Sequence, residues 1–173
     1  RSNLIAGIAP EHTYVFEGKD GSGQIRADNH LDIAASIGDV LQKHPPGDLS
    51  IVLSSAGGGS GSVIAPLITS ELLGRGLAVI VIAIGSADTK RLAVNTLNTF
   101  KSYEGVSRTR KAPVVMRYFQ NSPTTPREVV DVKVIETITL LCALFSRQNS
   151  ELDTRDLFNF FNLNFLAKVN LER

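Results

Sequence analysis

A glycine-rich segment that follows an apolar run is the part of this sequence best suited to bind a ligand. Residues 49–53 (LSIVL) predict a buried strand, and residues 54–62 (SSAGGGSGS) follow it directly, before a helical pattern begins. Glycine leaves backbone N–H groups unobstructed, and the first turn of a helix adds further N–H groups and the positive end of the helix dipole. The segment therefore favours a phosphate group, with a purely structural glycine-rich turn as the alternative.

Two familiar phosphate-binding motifs do not fit this segment. A P-loop needs a lysine immediately after its glycines, and no lysine occurs between Lys43 and Lys90. The dinucleotide fingerprint needs glycine or alanine where Ser62 stands, and an acidic residue about 20 positions later, at the end of the next strand. Glu71 lies within the helical pattern, and the next acid is Asp88. A Walker A loop is thus excluded, and a Rossmann loop is weakly supported.

The elements that must position this segment alternate between strand and helix. Buried strands are predicted at residues 49–53, 77–84 and 113–119, because these runs are rich in β-branched residues and do not alternate with polar ones, and a weaker strand at residues 13–16. Apolar residues at helical spacing lie between them: Leu31, Ala34, Ile37 and Leu41; Leu67, Ile68, Leu72 and Leu73; Leu92, Leu97 and Phe100. We expect a doubly wound, mostly parallel α/β sheet with right-handed crossovers.

Turn and cap residues agree with these bounds. The segment HPPGD at residues 44–48 is expected to end the first helix, and Gly76 stands where a helix C-cap glycine belongs. After Pro126 a single long helix is predicted to about Phe145 from this apolar stripe: Val130, Val134, Ile138, Leu141 and Phe145. The tail after it, FNFFNLNFLAKVNLER, predicts a helix only in its first half.

Composition excludes several classes of protein. The chain has 173 residues, 43% of them apolar and 20% charged, with a net charge of +1, so it suits one globular domain without a basic field for direct nucleic-acid binding. The single cysteine, Cys142, rules out a disulfide framework and is predicted to be a core residue. The three histidines have no metal-ligand spacing, so no protein metal site is expected. The longest apolar run, residues 77–84, is far shorter than the roughly 20 residues of a membrane span, so we expect a cytoplasmic protein with no membrane contact.

The motifs match one family in order. The segment GGGSGS, followed by VIAP, resembles the signature loop of the tubulin and FtsZ superfamily of GTPases, GGGTGSG or GGGTGTG, with serine in place of threonine. EGKDGSGQ at residues 17–24 looks like the loop of that family that senses the γ-phosphate. GSADTKRL at residues 85–92 occupies the place of its ribose-contacting loop, and YFQN at residues 118–121 ends where the family recognises guanine.

This resemblance implies that GTP or GDP, with Mg²⁺, is the ligand. The nucleotide-binding residues that it implies are Gly21, Ser22, Gly23, Gly57, Gly58, Gly59, Ser60, Gly61, Ser62, Asp88, Arg91, Asn121 and Asp131. The chemistry of Asp131 agrees, because a carboxylate accepts hydrogen bonds from guanine N1–H and N2–H₂, whereas adenine N1 is itself an acceptor. GTP should be preferred over ATP. Without the resemblance, Asp131 would be interpreted as an acid favoured by the start of a helix.

A second acidic segment follows the long helix. ELDTRDL at residues 151–157 resembles the catalytic loop NxDxxD of the superfamily, with glutamate in place of asparagine, which makes Asp153 and Asp156 the implied catalytic residues. The alternative is a helix cap, with Asp153 at the N-cap position and Asp156 three residues later. The loop begins 20 residues after Asp131, which along a helix is roughly 30 Å at about 1.5 Å per residue.

That separation predicts catalysis between subunits. The two aspartates cannot reach the phosphates bound by their own subunit, so they would polarise water at a nucleotide held by a neighbour, while magnesium and the glycine loops neutralise the phosphoryl oxygens. Head-to-tail stacking of this kind does not close on itself and gives a filament. Hydrolysis would then be coupled to assembly.

Within the superfamily the pattern is most similar to the phage-encoded tubulins, the PhuZ group of giant phages. The shared features are GGGSGS, the proline in IAPLI, the short link from YFQN through TPREV to the long helix, and ELDTRD. The resemblance implies a dynamic filament that positions phage DNA or the phage nucleus in the cytoplasm of an infected bacterium.

Segments at both ends of the family pattern have no counterpart. RSNLIAGIAP contains only Gly7, so the first phosphate loop of the family is missing, and no C-terminal domain follows. We interpret the chain as a fragment with a partial GTP-binding domain at residues 1–125, a core helix at 126–149, and the aspartate loop with a following helix at 150–173. Two alternatives remain: a non-hydrolysing structural or interaction module of the same fold, and a small α/β enzyme that binds a phosphorylated metabolite.

Overall fold

The computed structural model describes residues 7–16, 23–27 and 30–146. Within these ranges strands and helices alternate after a short 3₁₀ turn at Pro10–His12. The strands are β1 (Leu49–Ser55), β2 (Ala78–Ser86) and β3 (Val115–Asn121), and the α-helices are α1 (His30–Lys43), α2 (Gly61–Gly74), α3 (Lys90–Arg110) and α4 (Arg127–Phe145). No helix among the described residues is both long enough and apolar enough to cross a membrane.

The three strands form one parallel sheet in the order β1-β2-β3. The central strand β2 is buried on both faces: Val79, Val81 and Ala83 pack with α1, α2 and α3, whereas Ile82 packs with β3 and α4. Two-sided burial explains why the strand sequences lack alternation. The predicted α/β sheet with helices on both faces is confirmed, and because the strands are parallel, all of their carboxyl ends lie at one edge.

The strong strand predictions are confirmed with small shifts of their bounds, but the weak strand predicted at residues 13–16 is wrong. These residues form no ladder and instead lie against the end of α1. Lys43 Nζ donates to the Thr13 carbonyl at 2.9 Å, and His44 Nε2 lies 3.3 Å from the same oxygen. The last side chain of α1 and the one directly after it therefore bind the carbonyl that a neighbouring strand would have used, while Phe16 packs against the core.

The helix after β1 ends as predicted. Gly76 has φ +73°, a left-handed conformation that glycine adopts without a steric cost. The Leu77 N–H donates to the Leu72 carbonyl at 3.1 Å and the Gly76 N–H to the Leu73 carbonyl at 3.0 Å. These two bonds form a Schellman motif, which satisfies the last carbonyls of α2 before β2 begins.

Three predictions about the core are wrong. On α1 the buried residues are Ile33, Ile37 and Leu41, while Leu31 is 81% exposed and Ala34 is also exposed. On α3, Leu97 is 61% exposed, because that helix turns a polar face inward. Cys142 is exposed, since the part of α4 that packs tightly on the sheet is its first half, through Val130 and Val134.

Candidate nucleotide-binding site

The glycine loop, defined as residues 56–60, joins β1 to α2 at the carboxyl edge of the sheet. The Ala56 N–H donates to the Ile84 carbonyl of β2 at 2.7 Å, which fixes the start of the loop. At its end, Ser60 occupies the N-cap position of α2 without a side-chain cap, and the first turn contains no acid. The first turn of α2 thus presents its positive end without a competing carboxylate, as a phosphate site requires.

Helix α3 explains why the loop contains glycine at position 57. A Cβ atom added to Gly57 would lie 3.2 Å from the Leu92 carbonyl oxygen and 3.3 Å from Thr96 Oγ1. Those distances are shorter than ordinary van der Waals contacts, so α3 packs directly on the loop backbone. Gly57 is therefore required for the close approach of two elements.

The buried face of α3 is polar because it binds the carbonyl groups of this loop. Asn95 Nδ2 donates to the Gly57 carbonyl at 3.0 Å and also to the Gln24 carbonyl at 3.0 Å. Thr99 Oγ1 lies 2.8 Å from the Ala56 carbonyl oxygen. Buried carbonyl groups need such donors. The sequence analysis did not single out Asn95 or Thr99, although polar residues replacing the expected apolar stripe were a visible signal.

Arg26 connects the segment of residues 23–27 to the first turn of α2, directly after the glycine loop, and to α3. Its Nη1 donates to the Ser62 carbonyl at 2.7 Å and to Thr99 Oγ1, and its Nη2 donates to Ser102 Oγ at 2.7 Å. Burial lowers the pKa of Arg26 from its usual value. These contacts place Gly23, a predicted phosphate contact, on a segment that is attached to the glycine loop. The sequence analysis missed Arg26.

A trio of buried hydroxyl groups lies between β1, α2 and α3. It consists of Ser54, Thr69 and Tyr103, and none of the three hydroxyls has a partner in hydrogen-bonding geometry among the described residues. Burial raises the pKa of Tyr103 to about 12, and the nearby Ser54 and Thr69 hydroxyls and the Arg26 charge oppose that shift only in part. The trio therefore packs in the interior among these three elements.

The predicted ribose-loop residues follow β2 at the carboxyl edge. Asp88 is exposed, and its N–H donates to Ser86 Oγ at 3.2 Å, so the backbone turns sharply there. Thr89 then caps α3 by accepting from the Leu92 N–H at 3.2 Å. Arg91 is exposed in the first turn of that helix, and neither Asp88 nor Arg91 forms an ion pair with another described residue.

The predicted base-reading residues lie at the third strand and after it. Asn121 ends β3, paired in register with Ser86 of β2, and its Oδ1 is buried without a hydrogen-bond partner among the described residues. Asp131 is exposed on α4, one turn beyond the helix start at Arg127. The helix dipole acts mainly on the first turn, where Glu128 lies, so the dipole does little to explain an acid at position 131.

The structure thus brings one part of the predicted set to a common edge and leaves another part outside the described residues. The glycine loop with Ser62, Asp88, Arg91 and Asn121 follow the carboxyl ends of adjacent strands. Gly21, Ser22, Asp153 and Asp156 lie outside the described residues. Within the described part of the chain, no group of three or more histidine, cysteine, aspartate or glutamate side chains could hold a metal ion.

Comparison with known proteins gives related sequences. The chain is 32% identical over 168 residues to a phage tubulin-like protein of Pseudomonas phage PhiPA3, covering 97% of this chain and 53% of that protein. It is 34% identical over 128 residues to a phage tubulin-like protein of Pseudomonas phage phiKZ, covering 74% of this chain and 39% of that protein. No protein-family model matches. The chain therefore spans about half the length of the relatives it matches.

Solved structures show the same fold. The protofilament of TubZ from bacteriophage PhiKZ superimposes with a TM-score of 0.85 at 31% identity, over 91% of this chain and 51% of that one. The phage tubulin PhuZ with GDP superimposes with a TM-score of 0.83 at 27% identity, over 92% of this chain and 50% of that one. The resemblance inferred from the motifs is confirmed: by sequence and by fold, the chain is a homologue of the phage tubulin-like proteins.

Proposed function

We propose that this chain forms the nucleotide-binding part of a phage cytoskeletal protein that binds and hydrolyses GTP and polymerises head to tail into dynamic filaments. One observation carries the proposal: the glycine loop, with the uncapped start of α2, and the unpartnered Asn121 lie at the same edge of one parallel sheet. Ligands of open α/β sheets bind at the carboxyl ends of the strands. We therefore propose that phosphate contacts at the loop and base contacts at Asn121 serve a single ligand.

The phosphate part of the proposal depends on backbone donors. Residues 57–62 would supply N–H groups from the glycine loop and the first turn of α2, and Gly23 would approach from the attached segment. No lysine lies between Lys43 and Lys90, so the first cations in the sequence after the loop are Arg75 at the far end of α2, and then Lys90 and Arg91 at the start of α3. We propose the exposed Arg91, in the first turn of α3, for a phosphate contact.

The base part of the proposal depends on Asn121 and Asp131. The buried Asn121 Oδ1 has no donor among the described residues, and leaving such an atom unpaired costs about 1–3 kcal/mol, so a ligand that supplies an N–H group would be favoured. Guanine supplies N1–H and N2–H₂, and the Asp131 carboxylate can accept from the same edge. Adenine presents an acceptor at N1, so we propose GTP rather than ATP as the ligand.

Hydrolysis and assembly are proposed to depend on each other. Helix α4 has 19 residues and extends about 27 Å at 1.5 Å per residue, so its end at Phe145 lies far from its start at Arg127, which is the end nearer to Asn121 in the sequence. Asp153 and Asp156 would then act on the nucleotide of the adjacent subunit. Two of the solved relatives are a protofilament and a filament, which supports self-assembly. Mg²⁺, when bound, would neutralise phosphate charge, and it fits best as an ion held mainly by the nucleotide, since Mg²⁺ commonly takes substrate phosphates and few carboxylates.

The cellular role that we propose is the positioning of phage DNA or the phage nucleus in the host cytoplasm by such filaments. In this role the protein binds itself along the filament, and we propose no direct contact with nucleic acid or membrane. The near-neutral net charge of +1 supports this, because binding to either polyanionic surface usually depends on a basic patch.

Light scattering with GTP and Mg²⁺ tests this function. Scattering should rise on addition of GTP and decay as phosphate is released, and Asp156→Ala should leave filaments that persist without phosphate release. Asp39→Ala, which removes an exposed acid from α1, is the matched control and should behave as the unmodified chain does. Scattering that ignores GTP contradicts the proposal, and assembly without phosphate release supports the non-hydrolysing module instead.

A further inference from the structure

The proline inside α2 leaves one carbonyl of that helix without its usual donor. In an α-helix the Ser62 carbonyl would accept from the N–H of residue 66, but that residue is Pro66 and has no N–H. Ser62 is fully buried, so water cannot replace the missing donor. Arg26 replaces it, because its Nη1 donates to the Ser62 carbonyl at 2.7 Å.

The same guanidinium also acts on the start of the glycine loop. Arg26 Nη1 donates to Thr99 Oγ1, and that oxygen lies 2.8 Å from the Ala56 carbonyl oxygen. The Thr99 hydroxyl has one proton to donate, and its oxygen lies 2.8 Å from the Ala56 carbonyl oxygen and 2.8 Å from the Asn95 carbonyl oxygen, so Arg26 favours donation of that proton to one of these two carbonyls. Arg26 therefore contacts Ser62 directly, just after the glycine loop, and contacts Thr99, whose hydroxyl lies beside the Ala56 carbonyl at the start of the loop.

A second contact keeps the Arg26 segment in place. The Asn95 amide donates to the Gln24 carbonyl and to the Gly57 carbonyl, each at 3.0 Å. The NH₂ group has two hydrogens, so both bonds can exist together. Residues 23–27 are thus tied to the glycine loop at two points, and Gly23 moves with the residues that hold Ala56, Gly57 and Ser62.

We propose that Arg26 and Pro66 form a latch that positions the two glycine-bearing segments for the nucleotide. The Arg26 latch is defined as Arg26, the Ser62 carbonyl and Pro66. Arg26 is a positioning residue, since the acceptors that it contacts belong to the protein: Ser62, Thr99, Ser102 and Asn98. This inference rests on the proposed function, because its consequence is that a ligand at one segment stabilises the other.

A double-mutant cycle tests the latch without nucleotide. Arg26→Met should lower the urea midpoint of unfolding, because it leaves the buried Ser62 carbonyl without a donor. In the Pro66→Ala background the same change should lower the midpoint by clearly less, since the restored N–H of residue 66 can supply that carbonyl. Equal losses in the two backgrounds would overturn the latch.

Nucleotide affinity tests the positioning role. This experiment is done without urea, on variants that circular dichroism shows to be folded. Arg26→Met should weaken binding of fluorescent mant-GTP about tenfold, which is the factor expected from the loss of one charge-assisted hydrogen bond. Arg26→Lys, which keeps a donor for the Ser62 carbonyl, should recover part of this loss. Arg75→Met removes an exposed arginine at the other end of α2 and should bind as the unmodified chain does. Unchanged affinity in Arg26→Met would overturn the positioning role.

The two experiments separate this inference from the proposed function. If the unmodified chain binds no mant-GTP, the proposed function fails and the positioning role fails with it, while the urea cycle still decides whether the latch exists. If the unmodified chain binds mant-GTP and Arg26→Met has neither effect, the latch alone is wrong.

Discussion

Substitution of Gly57 by alanine tests whether α3 must contact the glycine loop backbone. The added Cβ would lie 3.2 Å from the Leu92 carbonyl oxygen and 3.3 Å from both Leu92 Cδ2 and Thr96 Oγ1. Two of these three atoms belong to polar groups held within a helix, so the loop and α3 must separate by a few tenths of an ångström. Overpacking of this kind costs about 1–3 kcal/mol. The same shift moves the N–H groups that would bind phosphate, so we expect mant-GTP affinity to fall about tenfold.

The matched control for that change lies on α3 itself. Gly105 has nothing within 4 Å of an added Cβ, so Gly105→Ala should raise the free energy of unfolding by about 1 kcal/mol through helix propensity and leave nucleotide affinity unchanged. Urea unfolding and fluorescence anisotropy measure the two quantities on the same samples. The reasoning is refuted if Gly57→Ala is as stable as Gly105→Ala and binds mant-GTP with the affinity of the unmodified chain.

Three further predictions concern a helix end, an ionisable core residue and the base contact. Lys111 ends α3 in a left-handed conformation, with φ +52°, so Lys111→Gly should raise the free energy of unfolding measured in urea by about 1 kcal/mol. Gly76→Ala should lower the free energy of unfolding by a similar amount, because Gly76 also has a positive φ. A change of the same sign in both variants would contradict this. Burial raises the pKa of Tyr103 from 10.0 to about 12, so as the pH rises the unfolded chain loses the Tyr103 proton before the folded chain does. The contribution of Tyr103 to the free energy of unfolding is therefore fully present below pH 10.0 and is lost as the pH rises through about 12. Tyr103→Phe should remove this share of the alkaline loss, and an unchanged pH profile of the urea midpoint would show that another group causes it. Asn121→Ala should weaken GTP binding about tenfold in a competition assay, whereas the control Asn98→Ala, at an exposed position, should bind GTP as the unmodified chain does. An equal loss in both variants would argue against a base contact.

The sheet could be predicted from the sequence because its central strand is buried on both faces and all three strands are rich in apolar and β-branched residues. Residues 49–53, 77–84 and 113–119 are mostly apolar, with Ser50 and Arg117 as the polar exceptions, and the structure places β1, β2 and β3 there with bounds shifted by one or two residues. The turn residues also act locally, as Gly76 shows. The strand predicted at residues 13–16 was wrong because these residues contact the end of α1. A pattern of four residues cannot indicate a contact with a distant part of the chain.

The support of the glycine loop could not be predicted from periodicity. Asn95 and Thr99 are buried on α3 because they bind the carbonyls of Gly57 and Ala56, which lie 38 and 43 positions earlier in the chain. A rule that assigns apolar residues to the core selects Leu97 instead, which is exposed. A helix face that packs on a loop is polar for the same reason that a capping residue is polar: backbone groups need partners.

The site residues divide along a similar line. The shared position of the glycine loop, Asp88 and Asn121 at one edge of the sheet could be predicted because they follow or end strands whose carboxyl ends meet there, while their roles in binding stay predictions. The contact of Arg26 could not be predicted, since Arg26 donates to a carbonyl that lacks its helical donor because of Pro66, a residue 40 positions away. Asp153 and Asp156 lie outside the described residues and stay predictions.

Competition between nucleotides tests the central claim most directly. Bound mant-GTP should be displaced by stoichiometric GTP or GDP and resist a large excess of ATP, because the unpartnered Asn121 Oδ1 and the exposed Asp131 both offer acceptors to guanine. Displacement by ATP and GTP at equal concentrations, or the absence of saturable mant-GTP binding, would contradict a guanine-nucleotide site at the carboxyl edge of this sheet.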